Sequence, residues 1–331
     1  MYSVKKLNSV SLRKKSIVIP TVAINGGLGN QLFQWFFAHT IMVDSKFKID
    51  KIFDNFDYTG QLHYQLGELE SHCHHVVNPG GSKYLSKVHK FFYTSLNRAW
   101  NYSIFRYLLR QIGYLRESPK KSDAQNSSVF GDRKLRYVFG YFQNTDSIRD
   151  TIIVDNELLK YIDQFSDNLL KRMNLLEGKY DVIHVRKYPI KTMRTVDIGN
   201  LSIEYYRNWI REVDAKNLVV LCKEHNEAER LLDTHPGAII LDNQTLNPWE
   251  AIALMSKARK TLSSNSTLGW WGALLCAKNL GDAYLPSDWS YWGNVDTHKL
   301  FFEGCKVFPS SWDLSEHVDQ TCIDPRTGNT T

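Results

Sequence analysis

Between residues 180 and 278 a short apolar run is followed, four times, by a longer segment of helical character. The apolar runs are YDVIHVR (180–186), NLVVLCK (217–223), GAIILDN (237–243) and KTLSSN (260–265). The segments after them are IEYYRNWIREV, HNEAERLLDTH, PWEAIALMSKAR and STLGWWGALLCAK, each read as a helix. Strands this short and this continuously apolar are buried on both faces, and the helices between them supply the crossovers of a parallel sheet. The fold class is therefore α/β. Upstream, SIVIPTVAI (16–24) runs into a glycine-rich loop and then an aromatic helical segment, which opens a first half in the same way. A polar helical stretch, NELLKYIDQFSDNLLKRMNLLEG, separates the two halves. A chain of 331 residues is long enough for two domains. The expected division is a basic tail (1–15), an N-terminal domain (16–170) and a C-terminal domain (171–331).

Composition narrows the possibilities. No run approaches the ~20 apolar residues that span a bilayer. The basic start is broken by Pro20 and lacks a small-residue cleavage site, so it is read as a tail entering the first strand rather than a signal peptide. Five cysteines at unpaired spacings predict reduced thiols and a cytoplasmic location, not a disulfide framework. Residues 71–116 contain no Asp or Glu but carry Lys83, Lys87, Lys90, Arg98, Arg106, Arg110 and Arg116, interleaved with Phe91, Phe92, Trp100, Phe105 and Tyr107. A helical insertion at about 82–116 is expected to contact anionic lipid headgroups, or else to be a solvated face with snorkelling stems. No nucleic-acid motif accompanies this charge. HCHH (72–75) offers adjacent, diverging side chains and no second ligand pair, so no metal site is expected there.

Three loops carry the chemistry. In NGGLGNQLFQ, Gly26, Gly27 and Gly29 permit a close backbone approach to a ligand, and Asn30 is placed to cap the helix that comes next. Phe33, Phe36, Phe37 and Ile41 then fall at core spacing. The pattern departs from the dinucleotide fingerprint, and the amides Asn30 and Gln31 point to a hydroxyl-rich ligand instead. In VIHVRKYPIKTMR, His184 and Arg186 share one side of a strand end. Arg186 offers a planar fork for a phosphate, with Lys187, Lys191 and Arg194 adding positive potential, or it serves a surface ion pair. In SSNSTLGWWGALL, Ser263, Ser264, Asn265, Ser266 and Thr267 precede a helix whose N-terminus can hold phosphate. The competing reading of these five is helix capping, and that of Trp270 and Trp271 is core packing.

Together, GGLGNQLFQ, GYFQN (140–144), HVR, LSIEYYRNWI and SSNSTLGWWGALL resemble the inverting α-1,2-fucosyltransferases of bacterial surface-glycan pathways, in order and over most of the chain. The protein O-fucosyltransferases share the same three-loop logic more loosely. The resemblance implies a GT-B fold, with two Rossmann-like domains facing a cleft and GDP held by the C-terminal half. It implies donor binding by His184, Arg186, Lys187, Ser264, Asn265, Ser266 and Thr267. Gly26, Gly27, Gly29, Asn30 and Gln31 would then form a cleft loop near the donor sugar and the acceptor. No metal or other cofactor is implied, since Arg186 and the helix would stabilise the departing diphosphate. The partners implied are GDP-fucose or a related GDP-deoxysugar and a galactose-containing, lipid-linked oligosaccharide of O-antigen type. The catalytic set is Arg186, Asn30 and Asp197 as base, with Glu204 as a fallback.

Two departures stand out. The family pattern H-x-R-R-G-D-Y is replaced by HVRKYP, and a strand that usually ends in Ser-Asp-Asp here ends in CKE (222–224). Loss of polar donor-side groups fits a less hydroxylated sugar such as colitose. Two other classes compete: an NAD(P)-dependent Rossmann oxidoreductase using GGLGN as its phosphate turn, and a glycan-binding protein that has lost the chemistry.

Overall fold

The computed structural model describes residues 21–24, 26–41, 48–51, 65–66, 69, 114–116, 137–139, 141–143, 145, 148, 158–188, 198–223, 225–242, 244–291 and 295–313. They form an α/β structure with two wholly parallel sheets, as the alternating pattern requires. The first sheet contains β1 (Thr21–Ile24), β2 (Lys48–Lys51), β3 (Tyr114–Arg116) and β4 (Tyr137–Phe139), in spatial order β2-β1-β4-β3. Helix α1 (Leu28–Ile41) comes directly after β1.

Helix α2 (Leu159–Met173) opens the second part and ends on Asn174 in the left-handed region (φ 52°), a common helix stop. The boundary expected at 170/171 therefore runs through a helix. By its contacts α2 belongs to the C-terminal part, lying against α4 (Pro248–Ser256) through a Tyr161–Trp249 ring pair with centroids 4.8 Å apart. An Arg172–Glu250 ion pair of 2.8 Å joins the same helices.

The second sheet has six strands: β5 (Asp181–His184), β6 (Leu218–Leu221), β7 (Ile239–Leu241), β8 (Lys260–Leu262), β9 (Asp282–Pro286) and β10 (Cys305–Phe308). Their spatial order, β10-β9-β8-β5-β6-β7, is the doubly wound order in which the chain runs outward one way from β5 and then outward the other way from β8. Every residue of β5 and β6 is buried, which explains why LVVL in β6 is apolar without alternation and why the apolar pair of β5, Val182 and Ile183, is adjacent. Helix α3 (Ile203–Glu212) starts at Ser202, whose hydroxyl accepts from the Tyr205 amide, and α4 starts with a capping box between Asn247 and Glu250. Helix α5 (Thr267–Lys278) lies in the interior, with Gly269 through Cys276 all buried.

One expected helix is absent. HNEAERLLDTH forms two 3₁₀ turns, His225–Glu227 and Glu229–Leu231. Its buried apolar anchors, Ala228 and Leu231, lie three residues apart, a spacing that suits a three-residue turn better than a long amphipathic stripe. Phe33, Phe36 and Phe37 are core residues as expected, and Trp270 and Trp271 are too. Phe33 meets both tryptophans at 4.6 and 5.2 Å, so one aromatic core joins α1 to α5 and the two sheets to each other. Buried aromatics of this size contribute about 1.5–3 kcal/mol each. Among the described residues no helix is long and apolar enough to cross a membrane. HCHH and nearly all of the basic stretch 82–116 lie outside the described residues.

Candidate functional site

In doubly wound sheets, ligands bind beyond the carboxyl ends of the strands, where the strand order reverses. In the larger sheet that point lies between β5 and β8. His184 ends β5, and Ser263 to Ser266 come directly after β8, so two of the three loops singled out in the sequence meet there. The Ser264 amide donates to the His184 carbonyl (3.1 Å), and their side chains share a second hydrogen bond between Nδ1 and Oγ (3.1 Å). Burial, reinforced by the Arg186 charge, lowers the His184 pKa to about 3, so its ring is neutral at ordinary pH.

Beyond His184 the chain stays extended for several residues, with the Val185 amide still donating to the Leu221 carbonyl (2.7 Å). The Asn200 side chain then clips residue 188 from both sides. Its Oδ1 accepts from the Tyr188 amide (2.7 Å), and its Nδ2 donates to the Tyr188 carbonyl (3.1 Å). Arg186 and Lys187 are held between these two fixed points, half-buried. No carboxylate pairs with Arg186 among the described residues.

The N-terminus of α5 completes the positive end of the site. Ser266 occupies the N-cap position with extended backbone (φ −127°, ψ 134°), yet its hydroxyl makes no capping hydrogen bond, and the first turn contains no acidic residue. Capping therefore does not account for Ser266. Its hydroxyl and the Arg186 guanidinium instead flank the Tyr188 hydroxyl, which donates to the Asn265 carbonyl (3.0 Å). A helix N-terminus and an arginine with no carboxylate partner among the described residues are the ingredients from which anion sites are built.

The remaining expected residues divide between scaffold and surface. Ser263 and Ser264 are fully buried, and the Ser263 hydroxyl donates to the Ser264 carbonyl (2.6 Å). Asn265 is also buried, and its Nδ2 donates to the carbonyls of Gly199 (2.9 Å) and Trp289 (3.3 Å) rather than toward the helix N-terminus. Its Oδ1 is buried without a partner. As folded, Ser264 and Asn265 brace the site, while Arg186, Lys187 and Thr267 keep exposed surface. A Cβ on Gly269 would lie 2.4 Å from Ser263 Oγ and 2.8 Å from His184 Nδ1, so the helix approaches the strand end as closely as backbone allows.

The first loop comes directly after β1, which lies between β2 and β4 in the smaller sheet. Gly26 has a φ of +78°, and α1 begins at Leu28. Asn30 is thus the third helical residue and not the cap expected from the sequence. Its Oδ1 accepts from Gln143 Nε2 (3.0 Å), in the GYFQN segment just after β4. Gln31 is not available to a ligand. It is fully buried, donates from Nε2 to the Gly26 carbonyl (2.7 Å) and accepts at Oε1 from the Gln65 amide (2.9 Å). Nor do the loops face each other across open space at Gly29. A Cβ there would lie 2.4 Å from the Leu268 amide nitrogen and 2.7 Å from Thr267 Oγ1, and Trp271 Nε1 donates to the Gly29 carbonyl (3.0 Å).

Asp197 lies outside the described residues, as do Lys191 and Arg194. Glu204 is unsuited to act as a base. It sits on the first turn of α3, half-exposed and paired with Arg207 (2.9 Å) and Arg211 (3.3 Å). Sequence reasoning missed Tyr188 and Asn200. The two-residue alternation that links His184 to Arg186 reaches Tyr188 at its next step, whereas Asn200 carried no local signal.

No family model matches the chain. Among curated proteins it is similar to the O-antigen biosynthesis glycosyltransferase WbnK of Escherichia coli, 24% identical over 272 residues that cover 76% of this chain and 88% of that protein. Among solved structures, E. coli heptosyltransferase WaaC with ADP-2-deoxy-2-fluoro heptose aligns at a TM-score of 0.43 and 11% identity, over 87% of this chain and 92% of that one. POFUT1 in complex with GDP aligns at 0.37 and 10% identity, over 81% and 98%. Scores this low add nothing to the fold read from the strand order.

Proposed function

We propose that this chain is an inverting glycosyltransferase of GT-B arrangement. It moves L-fucose, or a related 6-deoxy sugar such as colitose, from a GDP-sugar to the 2-hydroxyl of galactose in an O-antigen or similar glycan. The observation that carries the reading is Arg186, free of any described carboxylate, beside the uncapped N-terminus of α5 at the reversal point of the sheet. The similarity to an O-antigen biosynthesis glycosyltransferase supports the substrate class.

In this reading the acceptor oxygen attacks the anomeric carbon as the bond to the diphosphate breaks, through an oxocarbenium-like centre. Arg186 and the α5 amides take up the charge of the departing diphosphate, a role worth about 10²–10³ in rate for one preorganised donor. The acceptor proton passes to Asp197 or to the diphosphate itself, and a side-chain base would contribute roughly 10²–10⁴-fold. Asn30, half-buried and linked to Gln143, borders the acceptor side. The neutral His184 ring places no second positive charge against Arg186 in the interior. The dinucleotide alternative is disfavoured because GGLGNQ departs from the G-x-G-x-x-G fingerprint.

The enzyme is proposed to work in the cytoplasm at the inner face of the membrane, with residues 83–116 on anionic lipid. Reversing the charge of Lys83, Lys87 and Lys90 should abolish binding to anionic liposomes, and unchanged binding would end that part of the reading. For the chemistry, thermal stabilisation by GDP is expected, with none by UDP, CMP or NAD. Slow hydrolysis should then rank GDP-fucose, GDP-colitose and GDP-mannose as donors. A chain with no GDP shift is not this enzyme.

A further inference from the structure

Beside the arginine of the anion site stands an aromatic ring. Tyr188 lies two residues beyond Arg186, and its ring is the platform next to the guanidinium, whose central carbon is 5.3 Å from the ring centroid. Two separate anchors fix the ring, one on its backbone and one on its hydroxyl. Asn200 holds the backbone N–H and C=O of residue 188 at 2.7 and 3.1 Å. The hydroxyl donates to the Asn265 carbonyl at 3.0 Å, immediately before the N-cap of α5. The same hydroxyl is flanked by Arg186 and Ser266. Burial raises its pKa, so it remains a protonated donor at ordinary pH.

An arginine side chain has four rotatable bonds and loses much of its freedom when it grips a ligand. A flat aromatic face that holds the guanidinium beforehand removes part of that cost, through cation–π attraction and by limiting rotamers. A carboxylate could orient the guanidinium too, but it would neutralise the charge that an anion needs. An aromatic ring orients it without cancelling it. In the sequence, HVRKYPIKTMR (184–194) contains no acidic residue and places a tyrosine two positions after the arginine.

We infer that Tyr188 is a positioning residue that presets the Arg186 guanidinium for a nucleoside diphosphate at the N-terminus of α5. The inference rests on the anion-site reading of Arg186. It does not depend on which sugar is transferred.

The test is a double-mutant cycle read by calorimetric titration of the full chain with GDP and, as a control, guanosine. Tyr188→Leu should weaken GDP binding about tenfold. Tyr188→Phe keeps the ring and loses the donation to Asn265, and should weaken it by about threefold or less. In an Arg186→Ala background, Tyr188→Leu should have no further effect on GDP. Guanosine binding, where measurable, should not change in any variant. GDP binding that is unchanged in Tyr188→Leu, or that falls equally with and without Arg186, would overturn the positioning role. If Tyr188→Leu does not fold, Tyr188→Phe in the two backgrounds decides alone: a loss that persists without Arg186 rejects coupling. Failure of wild-type chain to bind GDP would strike at the anion site itself, which separates the two ideas.

Discussion

The two ends of strand β5 solve opposite problems. At its start, Asp181 is fully buried and fully satisfied. Arg259 reaches both of its oxygens, one through Nε at 2.9 Å, and the Lys216 amide donates to Oδ2 at 2.7 Å. At its far end, only three to five residues later, Arg186 meets a neutral histidine and a tyrosine ring, with no described carboxylate to cancel it. One end balances its charge internally and stabilises the sheet. The other keeps a net positive charge beside a helix N-terminus. The same strand thus sets a balanced buried charge and the arginine proposed to bind the ligand apart by little more than its own length.

This contrast can be broken most sharply at its functional end. Arg186→Ala should cut turnover of a GDP-sugar by about 10²–10³ while the denaturation midpoint barely moves. Full activity in that variant would remove the phosphate role. At the closed end the pattern should invert: Arg259→Ala leaves a buried carboxylate without its counter-charge and should cost about 3 kcal/mol in urea unfolding. GDP affinity of the remaining folded protein should be near normal. A cost well below 1 kcal/mol would mean that the pair adds little to the sheet.

Between the extremes lies the packing of α5 on the strand end. Gly269→Ala places a methyl group against Ser263 and His184, and should destabilise the fold by about 1–3 kcal/mol while also weakening GDP binding. A neutral outcome would show that α5 can retreat from the sheet. The last contrast is a pH slope. Unfolded, His184 takes up a proton near 6.5, whereas in the fold it resists until about pH 3. Its contribution is complete above pH 6.5 and drains away as pH falls through that window, by about 1.4 kcal/mol per pH unit. His184→Gln should flatten that part of the stability profile, and an unchanged slope would assign it to other groups.

The second half of the chain was legible because its signals are local. β5, β6, β7 and β8 fall inside the four apolar runs, and α3, α4 and α5 begin where Ser202, Asn247 and Ser266 mark helix starts. What escaped is non-local. The spatial order that sets β8 beside β5 is decided by packing that no window of sequence contains. β9 and β10 are partly exposed strands whose weak apolar pattern gave no comparable run. At the site, parity along the strand found His184 and Arg186. Asn200 could not be found this way, since it acts through a backbone clip made from twelve residues away. Gln31 was misread for a related reason. A polar residue beside glycines looks like a ligand contact until its partners, Gly26 and Gln65, are seen to use both ends of its amide.

The pressed seam at Gly29 has a consequence for how such a chain can diversify. No side chain larger than hydrogen fits between α1 and the first turn of α5, so position 29 offers no room for new preferences. One residue along, Asn30 is tied to Gln143 by a single amide-to-amide link on partly exposed side chains. Exchanging that pair would rewrite the rim of the site and leave the seam intact. If the proposed site is right, a library randomised at 30 and 143 with 29 held constant would sample its ligand preferences without disturbing the seam.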